Sequence, residues 1–488
     1  MTNTLIIDQG THATRALLFD AAGQVLATAS QPIGLIRHSA DQIEQDGAEI
    51  RQSVTAVLHQ ILSKTVTIKQ AGVATQRSSV IAWDRQTGQP LSPVLSWQDR
   101  RAHAWLGQFE PQAAAIKQRN GLPLSPHYGA SKLRWLLDNV ASVQEAAQNG
   151  RLAFGPLASF VLFHLLENQP LLADHANAAR TQLWQLDSRD WDPWLLNLFG
   201  VPVAPLPDCV PIRHQYGHIA QTDIPVTAVN GDQNAAVYAL GQPQPGTAIV
   251  NLGTGAFVLV PTGDRLLRHD TLLTGLTDSD AHSGDYTLEG TVNGAGAALS
   301  WATEQLGLGP VQDYLDNWLA ATPTPPLFIN SIGGLGSPFW RPGPDPHWQG
   351  EGEAAAKITA VAESILFLLY ANIETMQAAG VVIEQFRLSG GLARSDALCQ
   401  RLANLTERPV LRPSETEATA RGTAWLAAGR PPHWPDPTPP TSFTPQPDAG
   451  LQSRYGRFLE GLGEERGAYP PKPARSARPR RFKSASSF

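Results

Sequence analysis

The sequence predicts an α/β protein made of two related domains that face each other across a cleft. An apolar strand, a Gly-Thr turn and a second β-rich strand occur in TLIIDQGTHATRALLF (residues 4–19) and recur in TAIVNLGTGAFVLV (residues 247–260). The chain of 488 residues is also too long for one ordinary hydrophobic core. Two similar hairpins about half a chain apart therefore favour a duplicated fold, with both turns facing one cleft.

The first predicted domain covers residues 1–240 and starts with a β-meander in residues 1–30. The alternation and spacing of apolar residues predict its next elements. These are an amphipathic helix at 46–64, a strand at 68–76, a hairpin turning at Gln86-Thr87-Gly88, and helices near 98–120 and 129–148.

The second predicted domain covers residues 241–435 and begins at the Pro- and Gly-rich joint GQPQPG. Its predicted helices and strand follow the second Gly-Thr hairpin. They are helices at 291–307, at 354–379 (closed by Gly380), from about Ser395 and at 415–428, with a strand at 383–390 that ends in Gly390-Gly391.

Residues 436–488 form a C-terminal extension, and its basic tail from about residue 470 has no acidic residue. Because this tail is rich in Pro, Ser and cations, we expect a disordered, solvated segment rather than a nucleic-acid or membrane patch.

Composition narrows the class of protein. The net charge is −6 and the pI is near 6.1, which is typical of proteins that do not bind nucleic acid. Two cysteines allow no disulfide framework. Asp8 interrupts the apolar start of the chain, and the most apolar stretches, 157–166 and 365–370, are shorter than the roughly 20 residues of a membrane span. We therefore expect a soluble cytoplasmic protein with no membrane partner.

Three Gly-rich turns are candidates for binding phosphate. They lie at Gly10-Thr11, at Gly253-Thr254-Gly255 and at Gly390-Gly391. Glycine lets backbone N–H groups approach an anion closely. No P-loop motif occurs, and one such turn alone is usually structural. Three of them at strand ends favour a nucleotide-phosphate site.

Two aspartates end apolar strands. Asp8 follows TLII, and Asp232 follows PVTAVNG. A carboxylate at a buried strand end is costly unless it binds a metal, accepts hydrogen bonds or exchanges a proton. For Asp232 an equally good alternative is an N-cap on a helix that starts near Asn234. Phosphoryl transfer to an alcohol needs one carboxylate near the attacking hydroxyl and Mg²⁺ on the phosphates, and these two residues match those roles.

Polar residues able to hold a polyhydroxylated molecule cluster at residues 75–79 (TQRSS) and 96–101 (SWQDRR). Arg77 can donate to hydroxyls, and Trp97 can pack on a carbon skeleton. For Arg101 the better interpretation is a surface charge or an ion pair between domains.

With these motifs in place, residues 3–430 resemble the FGGY family of carbohydrate kinases, and within it the glycerol kinase branch most closely. DQGTHATR, TQR, SWQDRR, GDQNAA, NLGTGAFVLVPTG, EGTVNGAGAALSW and SGGLARSDALCQRLANL occur in the order of that family. The resemblance implies an actin-like, ribonuclease H-like fold in each domain. It also implies a cleft that binds Mg-ATP and a small sugar or polyol, and a homo-oligomer (a dimer or a tetramer).

The resemblance also implies roles for single residues. Asp232 matches the catalytic base, and Asp8 matches the aspartate near Mg²⁺ and the transferred phosphoryl group. The substrate positions are Arg77, Ser78, Trp97, His127 or Tyr128, Asp232 and Gln233. The nucleotide positions are Gly10, Thr11, His12, Ala13, Arg15, Gly253, Thr254, Gly296, Ser300, Gly391 and Ser395.

Three departures from the family pattern concern the substrate. Glycerol kinases have Glu where Ser78 stands, so a short hydroxyl replaces a carboxylate and vacates volume. His127 or Tyr128 occupies the aromatic position, and His12-Ala13-Thr14 replaces hydroxyl residues of the first turn. Discrimination built on a buried hydrogen bond can be large. We therefore expect ATP use with an acceptor larger than glycerol, such as an erythritol-sized polyol or a ketose.

Two other classes of function stay open at this point. One is a catalytically silent relative with a binding or regulatory role, against which the intact Asp8, Asp232 and Thr254 argue. The other is a different actin-like ATPase, such as a chaperone, which would hydrolyse ATP without an acceptor and would not need Arg77.

Overall fold

The computed structural model describes residues 3–64, 67–311, 313–415, 417–434 and 438–463, so the basic tail predicted from residue 470 lies outside the described residues. The described strands, in chain order, are β1 (Asn3–Gln9), β2 (Ala13–Phe19), β3 (Val25–Pro32), β4 (Ile36–Arg37), β5 (Ile43–Gln45), β6 (Ile68–Thr75), β7 (Val80–Asp84), β8 (Val94–Leu95), β9 (Leu152–Pro156), β10 (Leu172–Asp174), β11 (Trp184–Gln185), β12 (Asp190–Trp191), β13 (Asp208–Val210), β14 (Arg213–His218), β15 (Pro225–Gly231), β16 (Thr247–Leu252), β17 (Ala256–Gly263), β18 (Leu273–Ser279), β19 (Gly284–Val292), β20 (Leu327–Ile329), β21 (His347–Gln349), β22 (Gln385–Ser389), β23 (Val410–Arg412) and β24 (Thr441–Phe443).

The helices alternate with these strands in both halves of the chain. The described α-helices are α1 (Gly47–Leu62), α2 (His103–Leu106), α3 (Ala113–Asn120), α4 (Gly129–Asn139), α5 (Ala141–Gln148), α6 (Leu157–Leu165), α7 (His175–Ala179), α8 (Pro193–Phe199), α9 (Asp232–Ala236), α10 (Gly296–Gln305), α11 (Leu315–Ala321), α12 (Ala354–Ala378), α13 (Asp396–Thr406), α14 (Ala418–Ala427) and α15 (Ala449–Gly461), and 3₁₀ turns span Gly107–Gln112 and Gly391–Arg394.

The first large sheet has six strands in the order β14-β15-β6-β1-β2-β3. β1, β2 and β3 form the predicted antiparallel meander, and β6 and β15 run parallel to β1. In this register Gln9 pairs with Thr75, and Thr75 pairs with Gly231. The carboxyl ends of three parallel strands therefore stop at one level, and the side chains just beyond them meet.

The second large sheet repeats this arrangement, in the order β18-β19-β17-β16-β22-β23-β24. β16, β17 and β19 pair antiparallel, and β22 and β23 continue parallel to β16. Asn251 of β16 pairs with Ser389 of β22, so the second Gly-Thr turn and the Gly390-Gly391 turn lie at one sheet edge. This topology confirms the duplication predicted from the two hairpins.

Two segments near the C-terminus pack on different halves of the protein. α14 packs against β6, β1 and α9 of the first half, although it was assigned to the second predicted domain. β24 pairs with β23, and Leu451, Tyr455 and Phe458 of α15 are buried in the core of the second half. The boundary at residues 240 and 241 stays a prediction.

The helices predicted near 98–120 and 129–148 are each interrupted. Pro111 has no N–H and lies in a 3₁₀ turn between α2 and α3. Val140 is extended and separates α4 from α5. The apolar spacing continued across both breaks, so periodicity alone did not reveal them.

α12 is the longest helix described, with 25 residues. By length and composition it could cross a membrane, but 72% of its most apolar window is buried inside the protein. Its residues 358–369 line the second core, which is the usual position of such a helix in a globular protein.

The helices α9 and α14 pack closely against each other beside the cleft. A Cβ atom on Gly422 of α14 would lie 1.9 Å from the carbonyl oxygen of Ala235 in α9. Side-chain packing would hold these helices further apart. Gly422 therefore sets the distance between α14 and the helix that begins at Asp232.

Gly422→Ala tests this close approach. Helix propensity alone would favour Ala by about 1 kcal/mol. Overpacking costs about 1–3 kcal/mol and a 1.9 Å contact with backbone is severe, so we expect net destabilisation and a lower midpoint of thermal unfolding. Gly456→Ala is the matched control, because Gly456 lies inside α15 with open space around it, and we expect it to raise the midpoint slightly. Equal midpoints for the two variants would contradict the close packing.

Candidate active site

The two predicted carboxylates lie near each other at the strand ends of the first sheet. Asp8 is 5% exposed, near the end of β1. Burial raises the pKa of Asp8, Arg15 opposes this rise, and the charge of Asp232 adds to it. Electrostatic contact between Asp8 and Asp232 places the predicted metal residue and the predicted base in one site.

Asp232 is the first residue of α9 and opens on the cleft, with 35% of its side chain exposed. The N-cap of α9 is Gly231, and the Asp232 carboxylate accepts from the neighbouring Gln233 N–H at 2.7 Å. The alternative interpretation of Asp232 as a helix cap is therefore wrong. Burial by the cleft walls raises the pKa of Asp232, although Arg77 and the Gln233 N–H lower it.

Arg77 lies beside Asp232 and is held by the start of α9. Its guanidinium donates to Asn234 Oδ1 at 2.6 Å and to Gln233 Oε1, and its Nε lies 3.6 Å from Asp232 Oδ1. A Cβ on Gly231 would lie 2.5 Å from Arg77 Cγ, so the glycine makes room for this side chain. The structure brings Arg77, Asp232 and Gln233 together.

Behind Arg77 a buried ion pair joins the two halves. Arg180 follows α7 and donates to both carboxylate oxygens of Glu289 in β19. Arg77 Nη1 lies 3.8 Å from Glu289. Burial acts to raise the pKa of Glu289, but the two guanidiniums outweigh it and the pKa falls below its ordinary value. Burial, and then the charge of Arg180, lowers the pKa of Arg77 to about 10.

The predicted substrate wall forms around Trp97. The rings of Trp97 and His127 meet edge to face with centroids 5.8 Å apart, and His127 contacts Tyr128 at 5.1 Å. Tyr128 is 4% exposed, and burial raises its pKa to about 12. Burial and four surrounding cations lower the pKa of His127 well below its usual value, so its imidazole is neutral at physiological pH.

Ser78 lies next to this wall in the left-handed backbone region, with φ of 64°. Its side chain is buried, and its Oγ has no hydrogen-bond partner in the structure. A buried hydroxyl without a partner is costly and is expected where a ligand completes the site.

The first Gly-Thr turn contacts the same wall. Gly10 N–H donates to Ala13 O at 3.0 Å, and Trp97 Nε1 donates to Thr11 Oγ1 at 3.0 Å. His12 lies exposed at the tip of the turn. One indole ring therefore connects the predicted phosphate turn with the predicted substrate wall.

The second Gly-Thr turn packs on the start of α10. Gly296 N–H donates to Gly253 O at 2.9 Å, and Ala297 N–H donates to Thr254 O at 3.0 Å. A Cβ on Gly296 would lie 2.8 Å from Gly253 O, so this contact requires glycine. Ser300 is exposed one turn further along and donates to Gly296 O.

The third turn lies beside the second. Gly390 has φ of 96°, and a Cβ there would lie 2.5 Å from Leu252 O. Gly391 follows it and opens on the cleft. Ser395 is different, because its hydroxyl caps α13 and donates to Asp316 at 2.5 Å. The Ser395 side chain thus has a structural role in this conformation.

A cavity of about 620 Å³ lies between the halves. Of the predicted residues, Arg15, Asp232, Gln233 and Gly391 line it. Arg15 pairs with Asp8 and with Glu417 at the start of α14, each at 2.5 Å. The guanidinium of Arg15 therefore bridges an acid of the first half and an acid at the start of α14.

The carboxylate pair fits Mg²⁺ by its chemistry. Mg²⁺ prefers hard oxygen ligands and usually takes one or two carboxylates, with phosphate oxygens and water completing its shell. Asp8 and Asp232 provide such oxygens at the cleft. Among the described residues, no three His, Cys, Asp or Glu side chains are grouped so that they could hold a metal ion.

Four residues of the site were not predicted as site residues: Arg180, Glu289, Lys132 and Glu417. Arg180 lies in a DHANAARTQ segment and Glu289 in the EGTV motif, so both were within recognisable stretches. Only the packing of distant segments places them behind Arg77.

Two domains of a known protein family match this chain. The FGGY family of carbohydrate kinases, N-terminal domain, matches residues 3–239, and the C-terminal domain of that family matches residues 248–429. Glycerol kinase from Geobacter sp. (strain M21) is 35% identical over 446 residues, which are 87% of this chain and 89% of that protein.

Two solved structures share the fold. Plasmodium falciparum glycerol kinase with ADP superposes with a TM-score of 0.87 at 22% identity, covering 95% of this chain and 98% of that one. Ligand-bound xylulose kinase from Lactobacillus acidophilus superposes with a TM-score of 0.84 at 20% identity, covering 94% and 97%.

Both family models match in their natural order and together span most of the chain. The protein is an ATP-dependent phosphotransferase that acts on an alcohol group of a carbohydrate or polyol, with Mg²⁺. The chain belongs to the FGGY family of carbohydrate kinases.

Proposed function

We propose that this kinase phosphorylates an acceptor larger than glycerol, an erythritol-sized polyol or a ketose, with Asp232 as the base. The proposal rests mainly on the Asp232 carboxylate, which opens on the cleft beside Arg77 and has a raised pKa. Such a carboxylate accepts a proton more readily than a free aspartate does, yet it stays next to a cation that keeps it in place.

In this mechanism the acceptor lies between Arg77 and the ring of Trp97, with one hydroxyl on Asp232. As that oxygen attacks the γ-phosphorus of ATP, its proton passes to Asp232, and the bond from the γ-phosphorus to the β,γ-bridging oxygen breaks to release ADP. Bound Mg²⁺ neutralises charge on the phosphates, and Asp8 would hold it. The turns at Thr11, Thr254 and Gly391 offer N–H groups to the phosphates.

The substrate assignment rests on the surroundings of Ser78. Its side chain is short, buried and without a partner, and it directly follows Arg77 in the chain. The carbonyls of Ser78 and His127 accept hydrogen bonds from the same Lys132 ammonium, which places the two residues near each other. A carboxylate there would fill volume and accept from glycerol hydroxyls. Its replacement by a hydroxyl leaves space for additional carbons, and the unpaired Oγ can bond a further hydroxyl of a longer acceptor. His127 contacts Trp97 directly, so we assign the aromatic position to His127, with Tyr128 behind it.

The cytoplasm and a homo-oligomeric assembly complete the proposal, by analogy with enzymes of this family. The role of a catalytically silent relative is the less supported alternative. The intact pair of carboxylates beside Arg77 argues against it, because a binding protein would not need an acid with a raised pKa at the cleft.

Asp232→Asn tests the base. We expect kcat to fall by about 100- to 10,000-fold, because the amide cannot accept the proton, while ATP affinity changes little. Coupled detection of ADP gives kcat, and calorimetry gives ATP affinity. Asp138→Asn, on the exposed face of α4, is the matched control and should keep full activity. Wild-type turnover in Asp232→Asn would show that the base is another residue.

Ser78→Glu tests the acceptor pocket. A carboxylate at this position should raise kcat/KM for glycerol at least tenfold relative to erythritol and xylulose, because it restores a hydrogen-bond acceptor and removes space. Ser78→Gln has the same size without charge and separates the two effects. An unchanged ranking of the three acceptors in Ser78→Glu would place Ser78 outside the pocket. Lack of turnover with any acceptor by the wild type would instead favour the silent relative.

A further inference from the structure

Lys132 occupies a position where both burial and the helix dipole disfavour a positive charge. It lies in the first turn of α4 and is 1% exposed. Burying an ammonium group is costly, and the N-terminal turn of a helix repels cations because the helix dipole is positive there. A lysine in this place therefore needs compensating contacts of its own.

Those contacts are two backbone carbonyls on two separate loops. Lys132 Nζ donates to Ser78 O at 3.0 Å and to His127 O at 2.8 Å. Ser78 and His127 are the two residues on which the proposed acceptor preference depends. They lie 49 positions apart in the chain, and the ammonium group connects them directly.

The Ser78 turn has an unfavourable conformation that such a contact would stabilise. Its left-handed backbone, with φ of 64°, is unfavourable for a residue other than glycine. The unpaired Oγ adds a second cost. A hydrogen bond from Lys132 to the carbonyl of the same residue opposes relaxation of this turn.

No acid forms an ion pair with Lys132 in the described part of the chain. The charged groups around it are Asp99, which favours the protonated amine, and Arg100 and Arg101, which oppose it. Burial, more than these charges, lowers the pKa of Lys132 to about 7. A neutral amine still has two N–H groups, so both hydrogen bonds can persist on either side of neutrality.

We propose that Lys132 is a positioning residue that holds the acceptor pocket in shape by tying the Ser78 turn to the His127 loop. This inference rests on the proposed function, because the pocket it shapes is the proposed acceptor site. Lys132 acts through backbone carbonyls and does not touch the reacting atoms. Its loss should therefore weaken acceptor binding more than it slows phosphoryl transfer.

Lys132→Met tests the proposal, since methionine keeps a long unbranched side chain but has no N–H donor. We expect KM for the acceptor to rise at least tenfold, kcat to fall less, and KM for ATP to stay within twofold. Glycerol, erythritol and xylulose are the acceptors to be measured. Lys132→Arg keeps the donors and should recover most of the acceptor affinity.

Lys117→Met is the matched control. Lys117 also has a pKa lowered by burial, to about 8, and also donates to a backbone carbonyl, that of Leu272 at 2.6 Å. It lies on α3 and donates to Leu272 rather than to the Ser78 turn or the His127 loop, so both KM values should stay within twofold. Equal effects of Lys117→Met and Lys132→Met on acceptor KM would indicate general destabilisation and overturn the positioning role.

Hydrogen exchange of the free protein tests whether Lys132 connects the two loops, independently of any catalytic measurement. In Lys132→Met, backbone amides of residues 76–79 and 125–130 should exchange faster, while those of α12 keep their rates. If Lys132→Met does not fold, Lys132→Gln, which is shorter and keeps a donor, should give a smaller change of the same pattern. Unchanged exchange in both loops would refute the tie. Absence of turnover in the wild type would count against the proposed function alone.

Discussion

The site depends on the register of three parallel strands. Gln9, Thr75 and Gly231 align across β1, β6 and β15, so the chain leaves all three strands at one level. That alignment places Asp8, Arg77 and Asp232 at the same edge of the sheet. A shift of one residue in any strand would turn its side chains to the other face of the sheet and separate the base from the guanidinium. Hydrogen bonding of the sheet thus determines the chemistry at its edge.

The charges at this edge can be buried because they neutralise one another across the two halves. Arg77 lies between Asp232 of the first half and Glu289 of the second, and Arg180 pairs with Glu289. An isolated buried charge costs several kcal/mol, whereas a paired and hydrogen-bonded one costs far less. Removing any single member would leave one charge uncompensated. The charge cluster around Arg77 therefore requires both halves, although most of the predicted site residues belong to the first.

The duplicated hairpins have acquired different surroundings. The first turn contacts Trp97, and so borders the acceptor wall. The second packs on α10 and lies beside Gly390 at the edge of the other sheet. In the proposed mechanism, the transferred phosphoryl group would therefore lie toward the first turn and the rest of the nucleotide toward the second. The start of α14 also reaches the first-half side of the cleft, since Thr419 donates to the carbonyl of Asp232 and Glu417 pairs with Arg15.

The sequence by itself determined the two-domain α/β class, the duplication and the three glycine turns, and it singled out Asp8, Asp232 and Arg77 as candidate site residues. These features are local, because strand periodicity, turn chemistry and motifs are properties of neighbouring residues. Tertiary structure alone decided that Asp232 is not a helix cap, that Glu289 and Arg180 support Arg77, and that Lys132 joins Ser78 to His127. The contacts of Arg180 with Glu289 and of Lys132 with Ser78 join residues far apart in the chain, and only sheet register and helix packing bring them together. Burial and pKa follow the same rule, because they depend on what surrounds a group in space.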